Sequence, residues 1–127
     1  MFVTGSAILY AVLTGFAVLF QLGLAAGLPW GSLAMGGRFP GQFPPAMRLA
    51  ALVQGGVLTV LALVVLSRAG LLLPEWEVFA GTGIWIAVGI SALSALMNCM
   101  TPSAGERRLW APVALLLLAS ALGTALG

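Results

Sequence analysis

Gly27-Leu28-Pro29-Trp30-Gly31-Ser32-Leu33-Ala34-Met35-Gly36-Gly37-Arg38-Phe39-Pro40-Gly41-Gln42-Phe43-Pro44-Pro45 separates one long apolar run from three others. Glycine and proline recur too often in it for an uninterrupted transmembrane helix. The segment is nonetheless greasy. Leu28, Trp30, Leu33, Met35, Phe39 and Phe43 would be costly to leave in water. It is therefore expected to lie in the membrane interface or to fold back onto the protein, and a site is expected beside it.

The flanking sequence sets the solvent. The chain has 127 residues, 61% hydrophobic and 6% charged, with a mean hydropathy of +1.15. A water-soluble surface needs more charge than this, whereas the acyl interior of a bilayer does not. Runs at about 3–28, 46–66, 76–100 and 110–126 reach the roughly 17–25 residues that span a membrane. In hydrocarbon each must be helical, because no water satisfies a free amide. The predicted fold is all-α: a single-domain integral membrane protein over 1–127, an antiparallel four-helix bundle. Its loop 29–45 is long, Gly/Pro-rich and partly apolar.

The net charge of +2 comes from five arginines and three glutamates, with no histidine. Arg38, Arg48, Arg107 and Arg108 fall on the side of the first and third connections, and Arg68 alone on the other. The positive-inside rule then puts the long loop in the cytoplasm and both termini outside, in a bacterial inner membrane. Arginines this few and scattered exclude a nucleic-acid surface. A lone Cys99 and no histidine exclude an intrachain disulfide and the common metal sites, so no metal or cofactor is expected. No nucleophile stands beside a base and no carboxylate pair is evident, so no catalytic residue is assigned. The first run also lacks the membrane glutamate that small multidrug transporters of similar size need.

Lipid tails are as apolar as leucine, so small residues must bring the helices together. Ala7, Ala11 and Gly15 on the first helix, and Gly83, Ala87, Ser91 and Ala95 on the third, recur every four residues and share a face. They predict packing of the first helix against the third. Ala119, Gly123 and Gly127 form a shorter stripe, expected to face a partner chain. Trp85, too deep for an interfacial belt, is expected to fill the core near Tyr10 or Thr14.

Neutral polar groups supply the candidate site. Threading places Gln21, Gln54 and Asn98 at similar depth beneath the loop, with Arg48 and Trp30 nearby. They form either interhelical glue or a small polar pocket. Glu106 reads as part of a solvated turn, with Arg107 and Arg108 free to hold anionic lipid headgroups. The expected function is non-catalytic: an accessory or assembly subunit of a membrane complex, or a self-associating scaffold, in contact with the lipid bilayer. The alternative is a small binding or transport protein for an uncharged or lipid-like molecule.

Overall fold

The computed structural model describes residues 2–127. Helix α1 (Phe2–Ala26) is followed by two single 3-10 turns, Gly31–Leu33 and Met35–Gly37, and then by α2 (Pro45–Arg68). A further 3-10 turn, Pro74–Trp76, leads into α3 (Glu77–Met100), and α4 (Ala104–Leu126) completes the chain. No strand occurs among the described residues. All four helices are long and apolar enough to cross a membrane, and the chain is a multi-pass membrane protein by that measure.

Local chemistry sets the helix ends. Pro45 opens α2, where a missing N–H and a fixed φ cost nothing. Gly27, at φ +93°, ends α1. Its N–H bonds the Leu24 carbonyl, and the Leu28 N–H bonds the Gly23 carbonyl, the paired closure of a Schellman motif. The fourth helix starts six residues before the predicted Trp110, at Ala104. Ser103 is its N-cap and accepts from the Glu106 N–H, so the polar segment read as a turn is the helix's first two turns. Pro112 consequently sits inside α4 rather than in its first turn.

The helices close into a ring: α1 packs along α2 and α4, and α3 along α2 and α4. The predicted seam between the first and third helices is not formed, because these two are diagonal. They meet across the centre, where the Tyr10 hydroxyl is directed at Ser91. Gly83, Ala87, Ser91 and Ala95 are buried as one stripe, but Gly83 faces Val64 of α2. On α1, Ala7 is buried, Ala11 half-buried, and Gly15 exposed with open space around it. The α1–α4 seam is instead made by Gly123 against Ser6 and Gly127 against Val3. Of the stripe expected to face a partner, only Gly123 is buried; Ala119 and Gly127 are exposed, Gly127 lying against Val3.

Small groups fill much of the interior, and many large ones face outward. Ala7, Ala80, Ala87 and Ala121 are fully buried around Tyr10, Val65 and Ile84. Val12, Leu19 and Val78 point outward, as hydrocarbon permits and water would not. Trp85 also points outward, half exposed, and not into the core near Tyr10. The Thr14 hydroxyl is buried without a hydrogen-bond partner among the described residues.

Three stability outcomes follow. Gly123→Leu forces a side chain into Ser6 and should destabilise by about 1–3 kcal/mol, read as a lower melting temperature in detergent. Gly89→Leu, with open space at that site, should leave the melting temperature unchanged. Thr14→Val removes an unpaired buried hydroxyl without changing shape and should hold or raise the melting temperature.

Candidate functional site

The segment between α1 and α2 does not hang in solvent. It folds onto the start of α4 and forms a cap over one end of the ring. Gly31 is buried where the backbone doubles back: its N–H donates to the Gly41 carbonyl at 2.9 Å. A β-carbon at Gly31 would collide with the Phe39 carbonyl. Phe43 is buried against Phe20, Leu24 and Ala51, with Phe39, Met47 and Leu33 around them. The apolar side chains read from the sequence therefore make a second small core beneath the cap.

Two bonds tie the cap to α4. The Gly36 N–H donates to the Glu106 carboxylate at 2.8 Å, and the Ser103 hydroxyl donates to the Ser32 carbonyl at 2.8 Å. Met35, Gly36 and Gly37 all have positive φ, 54°, 69° and 74°. This left-handed run aims the Gly36 amide at the carboxylate. It is strained at Met35, since a side chain there costs roughly 1–2 kcal/mol. Glu106 is 8% exposed, which corrects its assignment to a solvated turn. The signal was present in Ser103-Ala104-Gly105-Glu106, the spacing of a capping box. Here the carboxylate bonds a distant loop amide. Arg107 is partly committed as well, its Nη1 donating to the Thr101 carbonyl at 2.8 Å. Arg108 and Arg38 are exposed and make no hydrogen bond among the described residues.

Arg48 belongs to the same cap. Its Nε donates to the Phe43 carbonyl at 2.9 Å, and its guanidinium lies against Gly27, so that a β-carbon there would sit 3.0 Å from Nη2. A cation at the carboxyl end of α1 complements the helix dipole. Trp30 stacks on Phe20 with ring centroids 5.7 Å apart and lies over Gly23, where any side chain would overlap it. Phe20 also meets Trp110 edge-on at 4.8 Å, and Trp110 meets Phe16 at 5.6 Å.

No hydrogen bond joins the three amides that the sequence grouped, among the described residues. Gln21 is half-buried beside Gly55. Gln54 is exposed on α2, with no hydrogen-bond partner among the described residues. Asn98 donates to the Ser94 carbonyl at 2.7 Å and to its hydroxyl at 3.2 Å, both on its own helix. The reason is topological: α3 is diagonal to α1, so equal depth does not bring Gln21 and Asn98 together. Arg48 and Trp30 do share the cap, but they serve its backbone and its aromatic wall.

Two concavities accompany this arrangement. An apolar groove of about 310 Å³ lies on the outer surface of the cap end, lined by Phe16, Leu19, Phe20, Trp30, Leu33 and Leu109. At the opposite end, a hollow of about 490 Å³ is lined by Ser67, Arg68, Gly70, Pro74, Glu77 and Gly81. Arg68 there reaches toward the Ala125 carbonyl at the end of α4, 3.5 Å away. Sequence reasoning found neither, since both depend on which helices are neighbours. No protein-family model, curated protein or solved structure matches this chain.

The cap's dependence on Glu106 is measurable. Glu106→Ala strands the Gly36 amide and should cost about 1–3 kcal/mol. Amide hydrogen exchange across 31–41 should accelerate. Glu106→Gln keeps an acceptor oxygen and should show a smaller effect.

Proposed function

We propose that the chain is a non-catalytic antiparallel four-helix bundle of a bacterial inner membrane, serving as an accessory or assembly subunit or as a self-associating scaffold. The observation that carries this reading is Gln54. Its amide stands on the outward face of α2, about 14 Å along the helix from Pro45 at 1.5 Å per residue. An amide left unpaired in hydrocarbon costs roughly 1–3 kcal/mol. A neighbouring transmembrane helix with a polar side chain removes that cost. Ala46 and Ala50 precede Gln54 at intervals of four and are exposed too, so a partner helix can approach closely there. Glu106, Ser103 and Arg48 direct their hydrogen bonds to the chain's own backbone, which suits a structural role.

The alternative, a binding or transport protein for an uncharged or lipid-like molecule with a polar pocket at the cap end, draws less support, because no hydrogen bond joins Gln21, Gln54 and Asn98 among the described residues. In the favoured topology the cap faces the cytoplasm and both termini face outward. Arg38, Arg107 and Arg108 then lie on the positive side.

Affinity purification from native membranes in mild detergent tests the reading. A membrane-protein partner, or a second copy, should copurify at fixed stoichiometry. Gln54→Leu should weaken that association about three- to thirtyfold, matching roughly 0.6–2 kcal/mol for an interhelical polar contact, without lowering the melting temperature. A chain that purifies alone, or an assembly indifferent to Gln54→Leu, rejects it.

A further inference from the structure

The apolar groove at the cap end has the makings of a ligand site, and it stands apart from the α2 face that carries Gln54. We infer that it holds one acyl chain of an anionic phospholipid, with the phosphate at Arg108.

The walls are held in place. Trp30 is stacked parallel on Phe20, with 10° between the rings, and it occupies the space that Gly23 leaves bare. Leu33 is pressed against Gly105, where a β-carbon would come within 2.9 Å of its Cδ2. Both wall residues therefore belong to the cap that Glu106 and Ser103 fasten to α4. The groove is a consequence of that fastening and not of a mobile side chain.

Its depth suits a lipid tail. Phe16 lies ten residues before the end of α1 at Ala26, which is about 15 Å at 1.5 Å per residue. That depth is half of a hydrocarbon core of roughly 30 Å, the thickness of one leaflet. Phe16, Leu19 and Phe20 follow one another at helical spacing down this wall. The groove presents almost nothing but carbon, so a polar solute gains nothing there.

The rim supplies the charge. Gly105, Arg108 and Leu109 stand at i, i+3 and i+4 on α4 and share a face. Leu33 packs on Gly105, and Leu109 lines the groove, which sets Arg108 at its mouth. Arg108 is exposed and without a hydrogen-bond partner among the described residues. The one acid of this end, Glu106, is buried and already accepts the Gly36 amide. An anionic headgroup therefore meets a free guanidinium with no exposed carboxylate opposing it.

Native mass spectrometry of the protein released from nanodiscs of equimolar phosphatidylglycerol and phosphatidylcholine tests the inference. The wild-type chain should retain one phosphatidylglycerol in preference to phosphatidylcholine. Arg108→Gln should cut that preference about fivefold, the effect of roughly 1 kcal/mol per arginine at an anionic surface. Leu19→Trp fills the groove and should remove the retained lipid of both kinds, with helix content and melting temperature unchanged. Equal retention of the two lipids by the wild-type chain, or retention unaltered in Arg108→Gln, overturns the assignment. So does a second protein chain, in place of lipid, lost on Leu19→Trp. Because Arg108 is a surface residue, its variant reports even if Leu19→Trp fails to fold.

Discussion

A backbone amide that enters a greasy environment must find an acceptor, and in the cap of this protein the acceptor is a carboxylate. The 31–41 segment carries bulky apolar side chains, yet it cannot satisfy itself as a helix does, because glycine and proline interrupt it. The Glu106 side chain reaches out from the first turn of α4 and takes the Gly36 N–H. Ser103 takes part on both sides, capping α4 through the Glu106 amide and donating to Ser32. With these bonds made, Phe39 and Phe43 can be buried, Trp30 can be laid over α1, and Arg48 can close the end of that helix. The cap is thus a tertiary structure in its own right, held to the ring at the point where α4 begins.

The four helices were legible because hydropathy acts over the length of a whole span. The cap's apolar character was legible for the same reason, since Phe43 and Trp30 have no comfortable place in water. Which helices touch was not legible. In a bilayer the outward and inward faces are both apolar, so polarity does not mark the buried side. Side-chain size is a partial guide, as Ala7 and Ala87 inside and Leu19 and Val78 outside illustrate, but Tyr10 and Ile84 are buried and Gly15 is exposed. A size signal does not name the neighbour, and the stripes on the first and third helices were matched to each other although these helices are diagonal and Gly83 packs on Val64 of α2. The amide cluster failed with that match. Glu106 was missed although its capping-box spacing was in view, because a charge beside two arginines was read as solvated.

Two kinds of polar group stand out within the spans. Ser120, Thr124 and Thr59 return their hydroxyls to carbonyls on their own helices, which neutralises them wherever the helix faces. Gln54 and Trp85 cannot do so, and both point outward. A side chain with donors too far from its own backbone carries its requirement to whatever surrounds the protein. The surface of the ring is therefore not uniform: the α2 face bears an unmet polar demand, while the wall between α1 and α4 at the cap end is an aromatic trough.

The seam between α1 and α4 joins the helices most distant in the chain. Ser6 and Val3 await Gly123 and Gly127, which the ribosome delivers more than a hundred residues later. Without α4 those two positions lack the groups they pack on, and the Gly36 amide lacks its acceptor, so the ring and the cap both close on one and the same helix.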